Sequence, residues 1–185
     1  KLANMYRPKI MNKWNAVLKI CIAFLCTSST YAGEIDLSDS KLLVSPSIKS
    51  PVKETIIQVL QEEIHKRTDI HLDIADGWSD SPIIALALFS DEILNGKPLP
   101  EKTQLSLQAE SFSVVVQEET SPPVIWLIGT DERDVLSAAG HLLRMASFTN
   151  KLFLFDSSNA IQSTPDYPIR GHQLGYRNTA NSYDA

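Results

Sequence analysis

Residues 124–146, VIWLIGTDERDVLSAAGHLLRMA, decide the fold, because a buried strand runs directly into an amphipathic helix along this stretch. The segment VIWLIG at 124–129 carries no charged side chain and is typical of a buried strand. Thr130 or Asp131 is the predicted helix cap, and acidic side chains follow in the first turn, where the helix dipole favours them. The predicted buried stripe of the helix consists of Val135, Leu136, Ala139, Leu142 and Leu143.

The segments before and after this unit alternate between strand and helix patterns. A second amphipathic helix is predicted over residues 51–67, with Ser50 as its cap and Pro51 at its first position. Five further strands are predicted at 41–47, 71–75, 82–90, 110–119 and 151–156. This order predicts an α+β fold: a mixed β-sheet with two main helices packed on one face.

The beginning of the chain has the pattern of a secretory signal peptide. From Met11, a short basic segment with Lys13 and Lys19 precedes the apolar run Ile20–Leu25 and small residues up to Ala32. The apolar run is far shorter than the roughly 20 residues that a transmembrane anchor needs. We therefore expect an upstream extension at 1–10, a signal peptide at 11–32 cleaved after Ala32, a domain at 33–164 and a final segment at 165–185. The expected location is the periplasm or the outside of the cell.

Removal of the signal peptide changes the charge and the cysteine content. Both cysteines, Cys21 and Cys26, lie within it, so residues 33–185 offer no disulfide and no thiolate metal ligand. The first 32 residues hold five basic and no acidic residues, so the remaining 153 carry 12 basic and 22 acidic ones, a formal charge of −10. Such a surface repels phosphate backbones and anionic lipids, so we expect neither a nucleic-acid partner nor a membrane partner beyond the signal peptide.

Motifs for cofactors and metals are weak or absent in the sequence. It contains no Gly-rich phosphate loop and no G-x-S-x-G motif, so we expect no cofactor and no serine-hydrolase chemistry. Asp73, Asp76 and Asp80 surround a glycine, but they lack the spacing and the closing glutamate of an EF-hand, so a polar turn is predicted and no metal.

The tryptophan and histidine side chains are further candidates for ligand binding. Trp78 and Trp126 could form an aromatic platform for a sugar ring, although an aromatic side chain beside a strand more often belongs to the core. His65 and His71 have no His or Cys partner at metal-ligand spacing, and His141 on the second helix is expected to face solvent or a neighbouring domain.

Two stretches carry a family resemblance. Residues 129–143 have the pattern G-T-D-x-R-D-x-x-x-A-A-x-x-L-L, and residues 165–171 are PDYPIRG. Together with the order of strands over about residues 40–172, this resembles the small non-catalytic domain that precedes the barrel of exo-acting glycoside hydrolases, namely bacterial beta-N-acetylhexosaminidases and alpha-glucuronidases. Those families often have Gly-x-Tyr-Gly where this chain has SAAG at 137–140. The tail RGHQLGYRNTANSYDA at 170–185 is more similar to alpha-glucuronidase-like proteins.

The resemblance implies that the sequence stops where a (β/α)8 catalytic barrel begins. A barrel takes about 250 residues, so the catalytic carboxylates would lie beyond this chain, which by itself has no predicted catalytic residue. The implied partners are the protein's own C-terminal catalytic domain and a glycan. Arg170, at the start of the first barrel strand, is the implied substrate-binding residue, and His172 is a second candidate.

The sequence leaves alternatives to these assignments open. Arg170 could instead pair with an acidic residue of the domain interface, Asp156 or Asp166. The domain as a whole could be a glycan-binding module without hydrolysis, or a structural or interaction domain of a periplasmic protein.

Overall fold

A computed structural model describes residues 33–101 and 109–166. Within these ranges the chain forms eleven short strands and two α-helices. Neither helix is long and apolar enough to cross a bilayer. The architecture is α+β with a mixed sheet and two helices, as the order of sequence patterns predicts.

The main sheet has six strands, in the spatial order β11 (Ile161–Ser163), β7 (Phe112–Gln117), β8 (Val124–Gly129), β4 (Ile83–Leu88), β2 (Lys41–Val44) and β3 (Asp73–Ile74). Strands β8, β4, β2 and β3 are parallel to one another, whereas β7 is antiparallel to β8, and β11 is antiparallel to β7. The central strands are buried on both faces, which is why their sequences are continuous apolar runs.

Helices α1 (Val52–Thr68) and α2 (Glu132–Met145) pack on one face of this sheet. Their buried side chains recur at helical spacing, with Ile56, Leu60 and Ile64 on α1. On α2 the buried residues are Asp134, Val135, Ala138, Ala139, Leu142 and Leu143, whereas Leu136 is only half-buried.

The predicted cap of α1 is wrong. Pro51 occupies the N-cap position and makes no side-chain cap bond, while the Ser50 hydroxyl donates to the Glu54 carboxylate. Thr130 is also not the cap of α2; Asp131 is.

A second sheet contains the strand predicted at 151–156, which does not belong to the main sheet. Its order is β1-β10-β9, all antiparallel, with β1 (Glu34–Asp36), β9 (Ser147–Thr149) and β10 (Leu152–Asp156). Phe153 and Phe155 of β10 are fully buried in the same apolar cluster as both helices. The second sheet therefore packs on the helical side of the domain.

The other face of the main sheet holds a separate apolar cluster that includes Trp126, Ile128 and Ala85. A small hairpin formed by β5 (Ile93–Leu94) and β6 (Lys97–Pro98) covers part of this face, because Leu94 is buried in that cluster. This face also carries the polar cleft described below.

Candidate functional site

The predicted substrate-binding residues Arg170 and His172 lie outside the described residues. Of the segment 165–185, the structure describes Pro165, which is buried, and Asp166, which is exposed. Both assignments, and the alternative pairing of Arg170 with Asp156 or Asp166, stay predictions.

The turn between β8 and α2 is closely packed around Gly129. A Cβ atom at this position would lie 2.5 Å from the Val135 nitrogen and 2.6 Å from the Asp131 carbonyl oxygen, both of them backbone atoms. Only a residue without a side chain therefore allows the helix to begin so close to the end of the strand. The helix is then held by Asp131, whose carboxylate accepts hydrogen bonds from the Arg133 and Asp134 amides at 2.8 and 3.0 Å.

Asp134 completes this capping box from within the protein. Its side chain is buried and accepts hydrogen bonds from the Asp131 amide at 3.2 Å and from the Thr130 hydroxyl. Burial raises the pKa of Asp134, the negative charges of Asp131 and Glu110 raise it further, and the hydrogen bond from Thr130 opposes the rise. A perturbed carboxylate in a cleft would suggest catalysis, but this one serves as a helix cap.

The N-terminus of α1 is also occupied by an acidic residue of the chain itself. The Ser50 hydroxyl donates to Glu54 in the first turn, and this hydrogen bond is the main cause of the lowered pKa of Glu54. Carboxylates of the chain itself thus lie at the N-terminus of both helices, Glu54 on α1 and Asp131 with Asp134 on α2, so neither N-terminus offers a vacant anion site.

Trp126 does not belong to an exposed sugar platform. Its side chain is only 1% exposed, and its indole Nε1 donates to the Gln117 side chain at 2.8 Å. Trp126 is therefore a core residue, and its interpretation as part of a sugar-binding platform is wrong.

Trp78 packs against Trp126 and connects two loops. The ring centroids lie 5.5 Å apart, and Trp78 Nε1 donates to the carbonyl oxygens of Leu94 and Asn95 in the β5–β6 turn at 3.2 and 3.1 Å. The Lys97 ammonium lies 4.1 Å from the centroid of the Trp78 ring. The indole therefore holds the hairpin and its lysine in place, and a sugar could stack on this ring face only if Lys97 moved.

A polar cleft of about 620 Å³ opens beside Trp78. It lies at the edge of the sheet where the parallel strands β2, β4 and β8 begin, because Lys41, Ile83 and Val124 are in register there. Four separate segments of the chain contribute to it: the start of β2, the loop before β4, the hairpin strand β6 and the turn between β7 and β8. The lining side chains are Lys41, Trp78, Ser79, Asp80, Ser81, Lys97, Ser121 and Pro122.

No pattern in the sequence pointed to this cleft. Its two lysines stand 56 positions apart, at numbers 41 and 97, and neither belongs to a recognisable motif. Among the residues of the cleft, the sequence singles out Trp78 beside a polar turn as a candidate for sugar stacking, but it does not predict that two lysines lie near it.

The histidines form no metal site in the described part of the chain. The rings of His65 and His71 stack with centroids 4.0 Å apart. His141 does not simply face solvent, because its Nε2 lies 3.1 Å from the Asn159 carbonyl oxygen, to which it can donate. Among residues 33–101 and 109–166, no three His, Cys, Asp or Glu side chains converge in a way that could hold a metal ion.

Comparison with known proteins gives a limited result. No protein-family model matches the chain. No curated protein matches it in sequence. Among solved structures, a chitobiase from Flavobacterium johnsoniae is similar to part of the fold, with 16% sequence identity and a TM-score of 0.43. The similarity covers 68% of this chain and 18% of the chitobiase chain, so this chain spans less than a fifth of that protein's length.

Proposed function

We propose that residues 33–164 are an accessory, non-catalytic domain of a secreted or periplasmic glycoside hydrolase, either hexosaminidase-like or alpha-glucuronidase-like. Its main partner is a catalytic domain in the same polypeptide, and the glycan is the substrate of that domain. The residues 129–143, which carry the family resemblance, support this proposal through their geometry. Asp131 and Asp134 are both used to cap α2, and Gly129 is required by packing. The motif therefore serves the assembly of the domain, as it would in an accessory domain.

Expression of the extended reading frame tests this proposal. The 185-residue chain and the chain continued to the next stop codon are assayed with chromogenic N-acetyl-β-glucosaminides and α-glucuronides. We expect hydrolysis by the extended protein and none by the 185-residue chain. An extended reading frame without a hydrolase domain would favour the alternative of a structural or interaction domain.

Arg170 is the residue that we propose to contact the glycan, with His172 as the second candidate. In the extended protein, Arg170→Ala should lower kcat/KM, with a loss of about 2–4 kcal/mol in transition-state stabilisation, the range for losing a charged hydrogen-bonding partner in a buried site. His172→Ala is measured in the same assay, and Arg144→Ala, an exposed position on α2, is the control. Unchanged kinetics with a lower Tm would assign Arg170 to the domain interface.

A further inference from the structure

We propose that the cleft beside Trp78 binds a hydroxylated carboxylate, such as a sugar acid. The proposal concerns binding by this chain alone, so it does not depend on whether a hydrolase domain follows. Three features of the cleft support it: two ammonium groups without a carboxylate partner, a hydroxyl-rich wall and a fixed hairpin.

Two ammonium groups line this cleft in a domain that is acidic as a whole. Residues 33–185 carry 22 acidic and 12 basic side chains, and the two ion pairs of the described residues involve His65 and Arg67 and no lysine. Within the described ranges, no carboxylate oxygen lies within 4.0 Å of the Lys41 or Lys97 ammonium. Both side chains line the same cleft. Asp80 is the one carboxylate among the residues that line the cleft, so two positive charges stand against one negative charge there, and this excess favours an anionic ligand.

The remaining polar groups favour a ligand that also carries hydroxyls. Ser79, Ser81 and Ser121 offer hydroxyl groups that both donate and accept hydrogen bonds. Asp80 lies in the same cleft and, when ionised, can only accept. A ligand that satisfies both lysines and Asp80 must therefore present a negative group and hydroxyl donors, which a sugar acid does and a simple anion does not.

Lys97 is held in position before any ligand arrives. Its ammonium rests on the Trp78 ring at 4.1 Å, and Trp78 Nε1 bonds to the turn of the hairpin that carries Lys97. The Asn95 side chain also donates to the Asp76 carbonyl oxygen at 3.3 Å, which ties the turn to the loop before β4. Such preorganisation lowers the entropy cost of binding. The cleft is open to solvent, with a volume of about 620 Å³.

The lysine on the opposite side comes from the main sheet. Lys41 is the first residue of β2 and lies on the same sheet face as Leu43, since side chains alternate along a strand. That face is the one with Trp126 and Trp78. One ammonium is therefore supplied by a core strand and the other by the hairpin.

Titration of the full chain with D-glucuronate, monitored by calorimetry and by tryptophan fluorescence, tests the proposal. D-Glucose, acetate and inorganic phosphate are the comparison probes. We expect D-glucuronate to bind at least about tenfold more tightly than glucose or acetate, as one charge-assisted hydrogen bond or one set of hydroxyl contacts would give. Added salt should weaken this binding, because the lysines lie at the surface.

Lys41→Met and Lys97→Met keep the apolar stem of each side chain and remove its charge. Each should weaken D-glucuronate binding by about tenfold or more, whereas Lys66→Met, an exposed position on α1, should leave it unchanged. Thermal melting of each variant shows whether it folds, and Lys41→Met tests the site without touching the hairpin. The proposal is overturned if D-glucuronate does not bind, if glucose or phosphate binds as tightly, or if both folded variants bind like the wild type.

Discussion

Replacing Gly129 by alanine should strongly destabilise the domain, although it adds a single methyl group. The new Cβ would lie 2.5 Å from the Val135 nitrogen, 2.6 Å from the Asp131 carbonyl oxygen and 2.7 Å from the Asp134 Cβ. Two of these three atoms belong to the backbone of the first turn of α2, so a rotation of a side chain cannot relieve the contact. The helix must shift away from the end of β8.

The size of the effect follows from this geometry. Overpacking a well-packed site costs about 1–3 kcal/mol, and contacts with backbone atoms place Gly129→Ala at the upper end. A shift of the helix start would also weaken the cap made by Asp131, which contributes about 1 kcal/mol. We expect a loss of about 3 kcal/mol in the free energy of unfolding, which lowers the Tm of a domain of this size by about 6–12 °C.

Gly140→Ala is the matched control, since it makes the same chemical change on the same helix. In the described part of the chain, no atom beyond the neighbouring backbone of α2 lies within 4 Å of a Cβ built at Gly140, and alanine is more favourable than glycine within a helix by about 0.5–1 kcal/mol. Thermal and urea unfolding should show a stabilised Gly140→Ala beside a destabilised Gly129→Ala. Equal melting temperatures of Gly129→Ala and the wild type would refute the reasoning.

Three further predictions concern the cap of α2 and the contact between the two helices. Asp131→Ala should lower the free energy of unfolding by about 1 kcal/mol, while Asp131→Ser, which can still cap, should lose less in the same urea titration. Because burial raises the pKa of Asp134 above its ordinary value of 3.8, the folded state binds this proton more tightly than the unfolded state, so the stabilisation contributed by protonated Asp134 should be lost as the pH rises from about 3.8 through the raised pKa, while the lowered pKa values of Glu54 and Asp156 act in the opposite direction. Asp134→Asn keeps an acceptor oxygen and does not titrate, so the stability of the wild type relative to this variant should fall over that range; equal pH slopes of the two proteins in urea unfolding would contradict this assignment. Arg67 donates to the Leu143 carbonyl oxygen at 3.1 Å and lies 5.0 Å from the centroid of the Phe148 ring. Arg67→Met should therefore lower the free energy of unfolding by about 1–2 kcal/mol, measured by thermal unfolding. A similar loss in Lys66→Met, at the neighbouring exposed position, would show that these contacts are not the cause.

The sequence predicted the elements of the fold better than their partners. The unit from 124 to 146 was correct because a buried strand, a capping aspartate and a helical apolar stripe all occur in one continuous stretch. The strand at 151–156 was also correct as a strand, but alternation indicates which side chains share a face and not which strand lies beside it. It joins β1 and β9, which have three residues each and are too short to show a period.

The helix caps show a second limit. Ser50 before Pro51 has the pattern of a cap, yet its hydroxyl donates to Glu54 instead of accepting from the backbone. Residue type alone does not decide between these two bonds, because both suit a serine near a first turn. Residue type also does not tell whether an aromatic side chain is buried. Trp126 lies on the sheet face opposite the helices, in the cluster that includes Leu94 of the β5–β6 hairpin, and local sequence patterns did not predict this hairpin.

The two faces of the main sheet carry different polar groups. On the helical face, Asp131 and Asp134 of the motif cap α2, so these two carboxylates contribute to stability. On the opposite face, Lys41 and Lys97 lack a carboxylate partner within the described ranges and lie apart from the motif. Substitutions on the two faces should therefore separate cleanly. Gly129→Ala should lower the Tm, whereas Lys41→Met should weaken the proposed binding of a sugar acid at an unchanged Tm. Loss of D-glucuronate binding in Lys41→Met, with the Tm unchanged, would show that the cleft binds a ligand whether or not a catalytic domain follows.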